Sequence, residues 1–374
     1  MMKVIHLGKF DIPDKGGIEN HVYNLCTCLA KKNYYVLNVI SNRRFRFKKS
    51  INGNFEVVSL PALFKCFSTA FNVILPFYVF KRVIFDNFNI VHIHHPDPLS
   101  HLTALFLPKK IKIVLSWHSD IVVYKKLYFF YKPLLIKLLL RADKIIVATP
   151  NHIKSSDLLS NHNFKKKIQI IPYGIDYNYF NQKKFIEESI AVKRKFKNKF
   201  IIFTLSRHVY YKGIPHLIEA MKYTHGALLV IGGIGPDTQK LKQIVIKEDL
   251  VSKVIFTGYI PENNLPSYHH AADIFCLPST ESSEAFGLAM AESMACAKPI
   301  IVSKLSTGVN FVCTCQTGII VESGNALALG RAINRLKESS TLRRIYGENG
   351  QKRIKLKFST DVMVKKTIRL YESI

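Results

Sequence analysis

Acidic residues are scarce in this chain. It carries 26 Asp+Glu against 54 Lys+Arg, a formal net charge of +28 over 374 residues. A balance so short of carboxylates favours anionic partners: phosphates, nucleic acid or an anionic membrane surface. A Lys-rich composition spread over the whole chain is the competing cause. Cysteine is sparse and badly spaced for structural use. There are seven, and Cys26/Cys28 and Cys313/Cys315 are C-x-C pairs without a matching His spacing. This argues against a disulfide framework or a zinc site and for reduced, cytoplasmic thiols. No apolar stretch before a cleavage site opens the chain, so no secretion signal is expected. The apolar segment Phe67–Phe80 is closed by Lys81 and Arg82, and it falls short of the ~20 residues a spanning helix needs. Sequence repeats, low-complexity segments and a D-x-D aspartate pair are all missing.

What is present is alternation. Val4–Leu7, Tyr35–Ile40, Ile90–His94, Ile113–Trp117 and Lys144–Ala148 read as strands, with helix candidates near 18–31, 68–84, 98–106, 126–141 and 151–160. The pattern restarts at Ile201–Leu205, Ala227–Ile231, Val254–Thr257, Ile274–Leu277 and Pro299–Val302. Helices are expected near 214–223, 237–247, 262–271 and 285–296, and three more near 324–337, 340–356 and 359–372. Such βα alternation predicts parallel sheets covered by helices on both faces. The fold class is therefore α/β with two doubly wound halves, joined by the stretch 168–197. Ligands in such folds sit at the C-terminal ends of strands, which places a cleft between the halves.

One segment stands out: Glu284-Ala-Phe-Gly-Leu-Ala-Met-Ala-Glu292, after a strand and a polar loop. On one helix its two carboxylates would lie ~12 Å apart, too far to share a proton but able to hold two parts of a long ligand. Backbone N–H groups at Phe286, Gly287 and Leu288 would offer an anion site at the helix start. An acidic residue favouring the helix dipole, with a second, solvated Glu, is the plainer reading of the same spacing. Arg207 and Lys212 lie between a strand and a helix; either alone reads as a solvated surface cation, and together, with Gly213 following, they suit a phosphate leaving group.

Glu-x-Phe-Gly-x-x-x-x-Glu resembles the paired-glutamate motif of glycosyltransferase family 4, retaining enzymes of the GT-B fold with two Rossmann-like domains. The resemblance extends over nearly the whole chain. Gly16-Gly17-Ile18-Glu19 resembles the family's N-terminal glycine loop and Trp117-His118-Ser119-Asp120 its strand-end histidine motif. Pro172-Tyr173-Gly174-Ile175-Asp176 resembles its interdomain turn, and Ser206-Arg207-His208-Val209-Tyr210-Tyr211-Lys212-Gly213 its basic donor-phosphate motif.

The resemblance implies roles. His118, Arg207, Lys212 and Glu284 form the catalytic set, with His118 and Glu284 beside the transferred sugar. Gly16, Gly17, Gly233, Tyr259, Phe286, Gly287, Leu288 and Glu292 bind the donor, Glu292 through the ribose hydroxyls. Asp120 orients His118 or meets the acceptor. With two cations at the diphosphate, no metal and no cofactor are expected. Residues 1–176, with a C-terminal helix at about 358–374, would form the acceptor-binding domain and 177–357 the nucleotide-sugar donor domain. Lys9-Phe10 and Thr307-Gly308-Val309-Asn310-Phe311-Val312 resemble O-antigen mannosyl- and rhamnosyl-transferases. The implied reaction moves mannose from GDP-mannose to a polyprenyl-diphosphate-linked glycan in lipopolysaccharide synthesis. Cys313-Thr314-Cys315-Gln316 departs from that subfamily, so UDP-glucose, UDP-galactose and UDP-N-acetylhexosamine stay open as donors.

Two basic-aromatic stretches, Arg43–Lys49 and Lys125–Arg141, carry the interfacial pattern of Lys and Arg among large apolar residues. A core helix with snorkelling lysines has the same signature. The first alternative predicts a cytoplasmic protein held peripherally on the inner face of the cell membrane. His92 and His94 share a strand face from which His95 points away, and all three read as structural. A nucleic-acid-binding protein is suggested by charge alone, but no module for it is visible. A nucleotide-dependent dehydrogenase or a sugar epimerase lacks its glycine fingerprint after the first strand.

Overall fold

A computed structural model describes residues 1–10, 17–42, 46–66, 69–120 and 125–374. The chain divides into two compact units, Met1–Gly174 with Thr360–Ile374, and Ile175–Ser359.

The first unit runs β1 (Lys3–Phe10), α1 (Gly17–Ala30), β2 (Tyr35–Asn42), β3 (Lys48–Asn52), β4 (Phe55–Pro61), β5 (Phe64–Cys66), β6 (Thr69–Phe71) and α2 (Leu75–Phe85). It continues through β7 (Ile90–His95), α3 (Pro98–Phe106), β8 (Lys112–Trp117), α4 (Lys125–Arg141), β9 (Lys144–Val147), α5 (Pro150–Ser155) and β10 (Ile168–Ile170). The main sheet has the order β10-β9-β8-β7-β1-β2-β4-β3. All neighbours are parallel except the exposed edge strand β3, which pairs antiparallel with β4. Strands buried on both faces usually read as apolar runs; Lys112–Trp117 nearly does, whereas Ile90–His95 is wholly buried with three histidines among its six residues.

The second unit begins with α6 (Tyr177–Phe180) and α7 (Lys183–Lys195). Then follow β11 (Phe200–Leu205), α8 (Ile214–Ala220), β12 (Ala227–Gly232), α9 (Thr238–Lys247), β13 (Val254–Gly258), α10 (Leu265–Ala271), β14 (Ile274–Leu277) and α11 (Leu288–Ala295). β15 (Ile300–Ser303), α12 (Val309–Val312), β16 (Gly318–Val321), α13 (Ala326–Glu338) and α14 (Ser340–Lys357) complete it. Its six-stranded parallel sheet has the order β13-β12-β11-β14-β15-β16. The last helix, α15 (Thr360–Glu372), belongs to the first unit, where Met363, Val364, Leu370 and Tyr371 join a core with Val22, Leu25, Cys26 and Leu29 of α1.

Several segments differ from the sequence expectation, among them β3, β16 and α12, which it did not contain. The helix expected over 68–84 starts at Leu75, with Pro76 in its first turn, and β5 and β6 pair as an antiparallel hairpin before it. Pro fits the first turn, where its missing N–H is not needed. The polar join contains α7, whose Phe185 and Ser189 are buried. Finally, β4 was not expected from its sequence. It carries Glu56, a wholly buried carboxylate that Tyr35 and Arg82 of α2 bind at 2.7 Å each. Burial pushes this carboxyl up, but hydrogen bonds from Arg82, Tyr35 and Lys49 outweigh it and hold the group at about 2.

Candidate active site

In the second unit, the loops at the C-terminal ends of the parallel strands come together. The loop after β11 carries Arg207, Tyr210 and Lys212; the loop after β14 carries Ser279, Glu281 and Glu284. They touch through backbone: Thr280 N–H donates to the Tyr211 carbonyl at 2.8 Å. Gly213 makes the approach possible. Its φ is +64°, and a Cβ there would stand 1.9 Å from the Pro278 carbonyl oxygen, so any side chain would force the loops apart.

Within this frame Lys212 Nζ donates to Glu284 Oε2 at 2.5 Å, and Ser279 Oγ donates to the same oxygen at 3.0 Å. Glu284 is 7% exposed. A carboxylate so enclosed needs a cation and a hydroxyl to offset its lost hydration. Tyr210 donates to Glu281 at 3.2 Å nearer the surface. Arg207 is exposed and its guanidinium makes no hydrogen bond or ion pair among the described residues. The site therefore holds one cation committed to a carboxylate and one directed to solvent, beside a helix start.

That helix starts later than expected. Gly287 has φ +79°, a left-handed conformation that stops the helix from extending backwards, so α11 begins at Leu288. Glu284 lies in the preceding loop, and the two-turn separation of Glu284 from Glu292 along one helix does not apply. Phe286 is buried and Leu288 half-buried, with Gly308 N–H donating to the Ala285 carbonyl at 3.0 Å. Glu292 is half-buried on α11, 3.5 Å from Nε2 of the buried His269, whose Nδ1 meets the Ser293 hydroxyl at 2.5 Å. Gly233, after β12, donates its N–H to the Gly258 carbonyl at 2.8 Å, next to Tyr259, which is 67% exposed. The structure thus brings Lys212 and Glu284 together, with Ser279 as a partner that the sequence reading missed. Its only signal was a hydroxyl in the polar loop that follows β14 and Pro278.

In the first unit, Gly16 lies outside the described residues, and Gly17 is the exposed first residue of α1. His118 is 3% exposed, and both ring nitrogens are engaged: Nδ1 with the Tyr173 hydroxyl at 2.6 Å, Nε2 with His94 Nδ1 at 2.9 Å. Asp120 accepts from Trp117 Nε1 at 2.7 Å and from Ser156 at 2.9 Å. Burial pushes its carboxyl upward against those two bonds. His95 points away from this group and stacks on Trp117 with ring centroids 3.7 Å apart. Among the described residues, His6, His92 and His94 are the one group of three or more ligand-type side chains close enough to hold a metal ion, with their ligand atoms within 4.8 Å of one another. No described helix is long and apolar enough to cross a membrane. Of the basic-aromatic stretches, residues 43–45 lie outside the described residues.

Comparison with known proteins accords with this geometry. The family described as Glycosyltransferase Family 4 matches residues 15–179, and that described as Glycosyl transferases group 1 matches residues 185–353. The O-antigen chain mannosyltransferase C of Escherichia coli is 27% identical, over 100% of this chain and 99% of that protein. The D-rhamnosyltransferase WbpZ of Pseudomonas aeruginosa is 26% identical, over 96% and 92%. Among solved structures, Anabaena Alr3699/HepE in complex with UDP superposes with a TM-score of 0.81 at 17% identity over the full length of both chains. The fold is that of the GT-B glycosyltransferases, two parallel-sheet Rossmann-like domains.

Proposed function

The chain belongs to the glycosyltransferases, family 4 in its first half and group 1 in its second, and on that premise we propose that it transfers mannose from GDP-mannose to a hydroxyl of a lipid-linked glycan in surface-polysaccharide synthesis, with retention of configuration. The choice of mannose and of an O-antigen-type acceptor is supported by the name of the Escherichia coli relative, which aligns from end to end.

The observation that carries the reading is the group Arg207, Lys212, Ser279 and Glu284 at the strand ends of the second unit. The diphosphate binds at the start of α11 and beside Arg207 and Lys212. Charge that grows on the leaving phosphate as the glycosidic bond lengthens is met by these cations. Donor phosphate draws Lys212 from Glu284, and the freed carboxylate hydrogen-bonds the transferred hexose. Glu292 accepts from the ribose hydroxyls. The acceptor hydroxyl enters on the leaving-group face and passes its proton to the departing phosphate oxygen. The cations take the place of a divalent metal.

The first unit binds the acceptor at a membrane surface. On α2, Phe77, Phe80, Ile84 and Phe85 are exposed at helical spacing with exposed Lys81 among them. Leu102 and Phe106 of α3 and Phe129, Phe130, Ile136 and Leu140 of α4 are exposed too, with Lys132 and Lys137 beside them. α2 packs on α3 and α3 on α4. Monomeric soluble proteins rarely carry so much exposed apolar surface without a partner, and interleaved cations suit an anionic leaflet.

A donor panel tests the reading: GDP-mannose, UDP-glucose, UDP-galactose, UDP-N-acetylhexosamines and dTDP-rhamnose, scored for thermal stabilisation and slow hydrolysis. GDP-mannose alone should give both. A response confined to a UDP-sugar would replace the donor, and no response to any would remove the enzyme reading of the second unit.

A further inference from the structure

Four buried histidines of the first unit form one continuous hydrogen-bonded chain with two tyrosines and a serine. Tyr173 Oη meets His118 Nδ1 at 2.6 Å, and His118 Nε2 meets His94 Nδ1 at 2.9 Å. His94 Nε2 meets His6 Nδ1 at 3.1 Å, and His6 Nε2 meets Tyr371 Oη at 3.2 Å. Tyr371 Oη meets His92 Nδ1 at 2.6 Å, and His92 Nε2 meets Ser116 Oγ at 2.7 Å. Each of the eight ring nitrogens has its place in the chain. The members come from β1, β7, β8, the segment after β10, and α15.

A neutral imidazole has one N–H and one lone pair, so it must donate on one side and accept on the other. The buried Tyr371 hydroxyl has no third partner among the described residues, so it likewise takes one proton and gives one. The chain is therefore all-or-none in direction. In one sense Tyr173 donates to His118 and every histidine carries its proton on Nε2; in the other Ser116 donates to His92 and every histidine carries its proton on Nδ1. A mixed set would place two donors or two lone pairs face to face at some link.

We propose that this chain is a tautomer lock on His118, with His94, His6, Tyr371, His92 and Tyr173 as positioning residues. It holds His118 neutral and in a single tautomer, the one shared by His94, His6 and His92. A ligand hydroxyl that takes the place of Tyr173 then meets one fixed hydrogen-bonding role at Nδ1, not a mixture of two. This consequence rests on the proposed reading of His118 as a sugar-side residue; the lock itself does not. A metal at His6, His92 and His94 would compete, because binding it means breaking links of the chain.

Long-range nitrogen–proton NMR on the full chain with 15N-labelled histidine tests the lock directly, without substrate. The expected spectrum at pH 7 has His6, His92, His94 and His118 all protonated on the same ring nitrogen, Nε2 in every ring or Nδ1 in every ring. Any mixture of Nε2- and Nδ1-protonated rings among these four overturns the proposal, as does tight uptake of one zinc ion per chain with loss of the ring protons. Tyr371→Phe, which removes one hydroxyl and keeps the ring, breaks the chain between His6 and His92. His118 should then show shifts averaged between tautomers, which loss of packing alone does not produce. His118 shifts identical to wild type would overturn the coupling. With the donor established, the same variant should lose about tenfold in kcat with little change in donor KM. An unchanged kcat beside an altered His118 spectrum would overturn the positioning role and the sugar-side reading of His118, while the donor panel judges the enzyme reading separately.

Discussion

Lys212 and Glu284, 72 residues apart in sequence, meet at 2.5 Å and join the loop after β11 to the loop before α11. Arg207, five residues before Lys212, is exposed and unattached among the described residues. The two cations are therefore not equivalent, and their removal should not have equivalent results.

Arg207→Ala should cost about a hundredfold in turnover with no change in the unfolding midpoint, since it touches only ligand. Lys212→Ala should cost at least as much turnover and also destabilise the fold by about 2–4 kcal/mol, because it strands a buried carboxylate. Turnover and urea unfolding measured on both variants check this. Equal stability of the two, or activity within a few-fold of wild type, would contradict it.

Glu292→Ala should weaken donor binding more than it slows chemistry. Two charged hydrogen bonds to ribose, each worth about 1.5–3 kcal/mol, predict at least a tenfold rise in Kd by calorimetry. Donor bound as tightly as by wild type would remove the ribose role.

The first unit should be acid-labile. Burial, with a smaller contribution from His21, lowers His6 to about 3, and burial lowers His21 to about 4. His92 and His94 are pushed well below the usual histidine range, again chiefly by burial. Below about pH 6.5 the unfolded chain takes up protons that these folded rings refuse, so stability falls as pH falls from about 6.5 towards 3–4. Each ring contributes a slope of up to about 1.4 kcal/mol per pH unit. Urea midpoints at pH 7.5 and pH 5 should differ sharply, and a flat profile over that range would contradict buried neutral rings.

Much of this was legible in sequence where one local signal decided the outcome. The strands β8, β11, β12 and β14 announced themselves as largely apolar runs, and in β7 the period of two placed His92 and His94 on one face with His95 opposite. The histidine chain was not legible, because its members come from β1, β7, β8, Tyr173 and the last helix, which only the sheet order and α15 bring together. Glu284 was misplaced onto a helix because Glu284 to Cys296 has helical composition, and the left-handed turn at Gly287 is a backbone property that outweighs it. Glu56 concealed β4, since a buried carboxylate reads as polar until Arg82 and Tyr35 are seen to pair it.

Membrane recruitment should depend on α2. Flotation with vesicles containing anionic lipid should bind the wild type, weaken as salt rises, and fall several-fold for Phe77→Ser with Phe80→Ser, because each buried large apolar side chain is worth about 1.5–3 kcal/mol. Equal recovery with neutral and anionic vesicles, unaffected by the two substitutions, would mean that this face serves something else.

The central claim is hexosyl transfer with retention, assisted by Arg207 and Lys212 in place of a metal. Its most direct test is NMR of the early product formed from GDP-mannose in the presence of EDTA, with the one-bond C1–H1 coupling reporting the anomeric configuration. The account predicts undiminished turnover and an α-linked product from the α-linked donor. A β-linked product, or activity lost to EDTA and restored by a divalent ion, would contradict it.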